Sequence, residues 1–194
     1  MERVSELPTI NANSRYKFPT CLNEFAKPVE NYLTKVCKDE QYDGICTGAF
    51  TLDHIGKMLI VQRADKDSWP GRWEIPGGAC EATDETILDG MVREMREESG
   101  LIVTNVIGVL KNKGKSFTSR SGKRLLKFEF EVEVEPSNGI QLNPAEHKAF
   151  MWITEEEFQA RKKDDSNITI QFTTEMQADS VQEAFQLWKK RTIS

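Results

Sequence analysis

Residues 93–100 read Arg93-Glu94-Met95-Arg96-Glu97-Glu98-Ser99-Gly100, and a glycine turn, Trp73-Glu74-Ile75-Pro76-Gly77-Gly78, precedes them. A helix advances about 100° per residue, so Glu94, Glu97 and Glu98, at i, i+3 and i+4, share one face. Leu88, Met91 and Met95 form the adjoining apolar stripe, which places the carboxylates at the edge of the packed side. The spacing predicts a helix over 86–98, with Thr83 or Asp84 as N-cap, Glu85 at the positive end of the dipole and Gly100 as terminator. Like charges at this spacing destabilise the helix by ~0.2–0.5 kcal/mol per pair, and glutamates near a helix C-terminus meet the unfavourable end of the dipole. Arg93 and Arg96 offset part of this. A hard divalent cation, which takes oxygen ligands and keeps several waters, offsets it more completely. The paired glycines allow close backbone approach and an exposed carbonyl as one more oxygen ligand.

Outward from this segment, residues 45–52 and 57–63 read as two strands of a hairpin joined by Asp53-His54-Ile55-Gly56. Residues 67–85, with two prolines and three glycines, are too broken for a long regular element. Residues 22–37 carry Phe25, Val29, Leu33 and Val36 at helical spacing, and Pro28 suits a first turn. Residues 1–20 read as a loose lead-in. The segments IVTNVIGVL and LLKFEFEVEVE read as strands, and Glu129, Glu131, Glu133 and Glu135 alternate onto one face, expected to be solvated. Lys111, Lys113, Lys115, Arg120, Lys123, Arg124 and Lys127 lie in a stretch without an acidic residue; with Gly114 and Gly122 they suggest a loop or hairpin, solvated or rimming a site for an anion. Residues 149–153 read as a short strand. Thr154 with Glu157 and Thr174 with Gln177 form capping boxes. The first helix should run to about Lys162; the second presents Val181, Ala184, Phe185 and Trp188 to the sheet or to a dimer contact.

The chain has 194 residues, enough for one domain with a sizeable core. Its 26 Lys plus Arg against 31 Asp plus Glu argue against a generally basic, nucleic-acid-coating protein. No stretch approaches the length of a transmembrane span, and MERVSELPTI lacks the apolar core of a signal peptide. Cys21, Cys37, Cys46 and Cys80 form no CxxC pair, and two histidines add little to a zinc site. Reduced thiols in a cytoplasmic or nuclear setting are expected.

The segment resembles the signature of the Nudix hydrolases: Gly, five residues, Glu, seven residues, then Arg-Glu-apolar-any-Glu-Glu-any-Gly-apolar. Arg93, Glu94, Met95, Glu97, Glu98, Gly100 and Leu101 match its second half, and Glu85 stands seven residues before Arg93. Gly78 takes the leading place, with six residues instead of five before Glu85, which puts one inserted residue within Ala79–Asp84. Leu59–Arg63, Trp69–Trp73 and Glu146-His147 followed by Trp152 are similar to flanking segments of the family. The division that follows is an N-terminal extension with one helix over 1–44 and a Nudix hydrolase domain, including the C-terminal helix, over 45–194.

The resemblance implies an α/β fold, an alpha/beta/alpha sandwich around a mixed central sheet. It implies an enzyme that hydrolyses a diphosphate linkage in a nucleoside diphosphate derivative, with Mg²⁺ or Mn²⁺. Glu94, Glu97 and Glu98 then take the metal-binding and water-activating roles, the Gly77 or Gly78 carbonyl adds a ligand, and Arg93 pairs with Glu85 and orients the cluster. Glu146 is the candidate for a carboxylate from outside the helix, with Glu129, Glu131 or Glu133 as competitors. Arg63, Trp73, Lys127 and Phe117 are the expected substrate contacts, and Trp69 and Trp152 are further aromatics able to stack on a flat group. The expected partner is a small-molecule diphosphate, with no stable nucleic acid and no membrane; homodimerisation is compatible with the C-terminal stripe. Other readings are a catalytically inactive Nudix-like module binding nucleotide or RNA and an enzyme acting on prenyl diphosphates. An isomerase of the isopentenyl diphosphate type would want more histidines and a reactive cysteine, for which Cys80 is the candidate.

Overall fold

Helix α2 (Ile87–Ser99) forms where the apolar period is clearest, and Leu88, Met91 and Met95 are all buried. These positions belong to a computed structural model that describes residues 16–36, 40–135, 139–164 and 166–192; Cys37 lies outside them. The N-cap is Thr86, whose side chain accepts the Asp89 amide, and not Thr83 or Asp84. Asp84 is engaged elsewhere, by the Glu81 amide and the Arg93 guanidinium. Gly100 closes the helix in the left-handed region at φ 73°.

Strand β1 (Gly44–Phe50) pairs in parallel with β5 (Arg124–Val134), which pairs antiparallel with β4 (Val103–Thr118). This mixed sheet has the order β1-β5-β4. Strand β2 (Met58–Arg63) is the centre of an antiparallel sheet between β3 (Trp73–Glu74) and β6 (His147–Ile153). The turn between β1 and β2 forms as read: the Asp53 carboxylate accepts the Ile55 and Lys57 amides, and Gly56 takes φ 85°. The strands it joins do not form the expected hairpin. Past a bridge at Leu52–Met58 they part into different sheets. The reason is burial on both faces of β2: Leu59 packs in one core while Met58 and Ile60 pack in the other, and β3 and β6 take its two edges.

The first core lies between the mixed sheet and α2, and residues 16–36 close it. Helix α1 (Val29–Val36) begins just after Pro28 and is shorter than the periodicity suggests, with Phe25 ahead of it. The Phe25 ring stacks on Tyr32 and meets Phe128 and Phe130 edge-on. The second core lies beneath α3 (Glu155–Ala160) and α4 (Glu175–Thr192). The capping box of Thr154 and Glu157 is present, and α3 stops two residues before Lys162 because Arg161 turns left-handed at φ 54°. Thr174 accepts the Gln177 amide at the start of α4. Val181, Ala184 and Phe185 are buried inside the chain, and the Trp188 ring lies against Gly56, so the stripe is covered without a second subunit. Helices on both sides of a mixed sheet make the expected alpha/beta/alpha sandwich.

The acidic face of β5 is not solvated as its alternation suggests. Glu129 and Glu131 are each 3% exposed. Helix α4 covers them and supplies Ser180, whose hydroxyl donates to Glu129, and Arg191, which pairs with Glu131; Lys115 of β4 and Lys127 of β5 approach Glu129 at 3.6 and 3.8 Å. Glu133 stays exposed. The basic stretch is one long β4–β5 hairpin turning at Ser119–Lys123, in which Lys111 pairs with Glu183 and Arg124 with Glu40. Among the described residues, no helix is long and apolar enough to cross a membrane.

Candidate active site

The glycine turn runs beside β1 as an irregular neighbour. The Ala49 and Thr47 amides donate to the Pro76 and Gly78 carbonyls, and the Cys80 amide donates to the Ile45 carbonyl. Gly77 sits at φ 155°, and a Cβ there would lie 2.2 Å from the Thr47 carbonyl oxygen. Gly78 bears on the site differently: a Cβ would lie 2.6 Å from the Glu94 carboxyl group, so the bare glycine leaves that carboxyl its place. The Gly77 amide donates to Glu98 Oε2 at 2.6 Å. The turn thus receives two α2 carboxylates, one by leaving room for it and one by hydrogen bonding. The Gly78 carbonyl, expected as a metal ligand, accepts the Thr47 amide and keeps one lone pair.

Helical phase separates the three glutamates by exposure. Glu94 and Glu98 are buried, whereas the Glu97 side chain is 54% exposed. Burial pushes the Glu94 carboxyl above the usual range, with Arg93 opposing. Burial pushes Glu98 well above it; the Gly77 amide opposes this, while Glu74, Glu94 and Glu146 add to it. Two buried carboxylates that resist ionisation are short of positive charge.

Arg93 supplies some of it. Its guanidinium donates to Asp84 at 2.9 and 3.0 Å, to Glu94 at 2.9 Å, to Glu97 at 3.0 Å and to the Ala79 carbonyl at 3.0 Å. The acid that meets Arg93 is therefore Asp84, not Glu85, which is exposed. Burial alone would raise the Asp84 carboxyl, but the bonds from Arg93 and the Glu81 amide outweigh it and hold it low. Five residues separate Gly78 from Asp84. The spacing that looked broken is met by aspartate, and the additional residue falls after this acid, between Asp84 and Arg93.

Glu146 comes from the turn before β6, where the Asn143 side-chain amide donates to it at 2.9 Å. One ligand atom each from Glu98, Glu146 and His147 lie within 4.8 Å of one another. Of the acids weighed for a role outside the helix, this is the one placed beside α2; Glu129 and Glu131 are engaged on the α4 side. His147 was not among the sequence-chosen residues. The sequence reads it as a loop residue; its position next to Glu146, just ahead of the strand read over 149–153, is the available signal, and β6 begins at it.

The four expected substrate contacts are dispersed. The Arg63 guanidinium is held by Glu74, Asp67 and Ser68. Trp73 is 2% exposed within the second core, so its ring offers no open face. Lys127 donates to Gln177 at 3.0 Å, and Phe117, opposite Leu125, is half-buried on the β4–β5 hairpin. Trp69 is exposed at φ 58° with the Arg120 guanidinium 4.8 Å from its ring, which links the hairpin tip to the loop after β2. Trp152 lines an apolar cavity of about 580 Å³ with Leu52, Leu101, Ile140 and Phe150, and no α2 carboxylate lines it. The Cys80 thiol is pushed up to about 12 by burial, with Asp84 adding to the shift. That environment opposes the thiolate a cysteine nucleophile requires.

A family model described as the NUDIX domain matches residues 44–173. The CTP pyrophosphohydrolase of Escherichia coli K12 is 39% identical over 56 residues, a match spanning 29% of this chain and 41% of that relative's length. Among solved structures, the MutT protein from Methanosarcina mazei Go1 is similar with a TM-score of 0.54 at 21% identity, over 76% of this chain and 95% of that one. The MutT NUDIX hydrolase from Burkholderia pseudomallei is similar with a TM-score of 0.54 at 20% identity, over 73% and 99%. At such identities the structural likeness is one of fold. With the family model covering more than half of its length, the chain belongs to the Nudix family.

Proposed function

We propose that the protein is a metal-dependent pyrophosphohydrolase that cleaves a diphosphate linkage in a nucleoside di- or triphosphate. The observation that carries this reading is the pair of buried carboxylates, Glu94 and Glu98, seated on the Gly77–Gly78 turn with Glu146 close to Glu98. The donor set fits a hard divalent cation such as Mg²⁺ or Mn²⁺: Glu98 and Glu146 converge, Glu94 and Glu97 adjoin them on α2 through Arg93, and the buried Glu94 and Glu98 lack enough positive charge. Glu94, Glu97, Glu98 and Glu146 would hold it. Bound there, the cation supplies charge to a polyphosphate that bare glutamates would repel, and it acidifies a water for attack.

The remaining chemistry belongs to the chain. Arg93 donates to Glu94 Oε1, which leaves Oε2 to receive the proton of the attacking water. The Gly77 amide holds Glu98 in one orientation. Arg93 ties the loop acid Asp84 to Glu94 and Glu97, so the helix and the preceding loop keep one geometry.

CTP is the first substrate to test, because the curated relative bears that name. Phosphate and pyrophosphate release should be followed with and without Mg²⁺ for CTP, the other nucleoside triphosphates, ADP-ribose, a dinucleoside polyphosphate and a prenyl diphosphate. Metal-dependent release from a nucleotide, lowered roughly 10²–10⁴-fold by Glu94→Gln, is the expected result. Nucleotide binding without turnover in any metal would replace the enzyme by a binding module.

A further inference from the structure

His147 opens β6 and is 1% exposed. Its Nε2 lies 3.2 Å from Glu74 Oε1. Its Nδ1 is buried and has no hydrogen-bond partner among the described residues. A buried nitrogen left unpaired is destabilising, so its place in the fold calls for a partner. The same imidazole is the member of the Glu98–Glu146 group that contributes nitrogen.

The far side of the ring is built with care. Glu74 is itself buried and is held by Arg63, which Asp67 and Ser68 hold in turn. A carboxylate that takes one imidazole N–H fixes the tautomer and makes the other nitrogen a better electron-pair donor. Metal-binding histidines show this division, with one nitrogen committed and the other free. It also accounts for Arg63: its guanidinium is turned toward Glu74 and away from any substrate because it anchors the group behind the ring.

We propose that His147 is a nitrogen ligand to the cation held by Glu98 and Glu146, with Glu74 and Arg63 as positioning residues. The proposal rests on the metal-dependent reading above and adds a ligand to its all-oxygen set. A nitrogen in the set favours Mn²⁺ or Co²⁺ relative to Mg²⁺, which prefers oxygen throughout.

The test is pulsed electron paramagnetic resonance on the full chain loaded with Mn²⁺. A bound imidazole gives a nitrogen hyperfine coupling. The chain has two histidines, and His54 lies in the β1–β2 turn, at the apolar cavity, so the signal is assignable. The coupling is expected in the unaltered protein and absent in His147→Gln, with Mn²⁺ affinity lowered at least about tenfold and Mg²⁺ affinity lowered less. Glu74→Gln should retain the coupling but change its size. Mn²⁺ bound without nitrogen coupling in the unaltered protein overturns the proposal while leaving the hydrolase reading intact, and this spectrum decides the matter even if His147→Gln does not fold. Absence of Mn²⁺ binding would instead remove the metal-dependent reading itself.

Discussion

Glu98 shows how one side chain couples folding to the chemistry. Its carboxyl is raised chiefly by burial, with the nearby acids adding and the Gly77 amide opposing. A raised group contributes stability that is fully present below its ordinary range and is lost as pH rises through the folded-state value. In metal-free protein, Glu98→Gln should therefore raise the melting temperature at pH 8 by roughly 2–4 °C per kcal/mol recovered, and the gain should shrink toward pH 5. A scan in chelator at both pH values checks this; a variant that melts lower at pH 8 would mean the carboxylate is already well compensated. The three helix glutamates were legible in the sequence because phase depends only on spacing. Their division into two buried and one exposed was not, because it depends on how α2 is rolled against β1. Asp84 was misread for a similar reason: spacing counts positions, whereas the acid that reaches Arg93 is decided by the path of the loop through space.

Elements were most readable where local chemistry sets their ends. Gly100, the Thr154 capping box and the Asp53–Gly56 turn all stand as the residues suggested. Pairing partners were less readable. Alternation on β5 reports that two faces differ but not that α4 brings Ser180 and Arg191 to the acidic one. Likewise, adjacency of β1 and β2 suggested a hairpin, while the two-sided burial that separates them depends on distant strands. The turn joining them is also where α4 rests. A Cβ at Gly56 would lie 2.5 Å from the Trp188 ring, at φ 85°. Gly56→Ala should cost about 1–3 kcal/mol by denaturant unfolding, and Trp188→Ala in the same chain should remove the steric part of that loss but not the backbone part. Equal stability of Gly56→Ala and the unaltered protein would show that α4 does not press on the turn.

On the scale of the molecule, the two cores are unequal in how they bear on the site. The first holds α2 from behind, and part of it comes from residues well before the family match. Phe25 is 4% exposed, with its ring against Tyr32, Phe128 and Phe130. Phe25→Ala should cost about 3–5 kcal/mol in urea unfolding and should loosen α2 more than α4, as read by amide hydrogen exchange. Uniform loss of protection in both helices would argue instead for a single cooperative unit.

The start of α2 has a further dependence. Its first two amides, of Ile87 and Leu88, donate to the Lys27 and Phe25 carbonyls at 3.1 and 3.2 Å, and the Tyr16 hydroxyl donates to Asp89 at 2.7 Å. The two amides are groups that a helix cannot satisfy from within. A fragment trimmed to the matched span would keep Glu94, Glu97, Glu98 and Glu146 yet set the helix adrift at its amino end, so recombinant work on this protein should retain the leading residues.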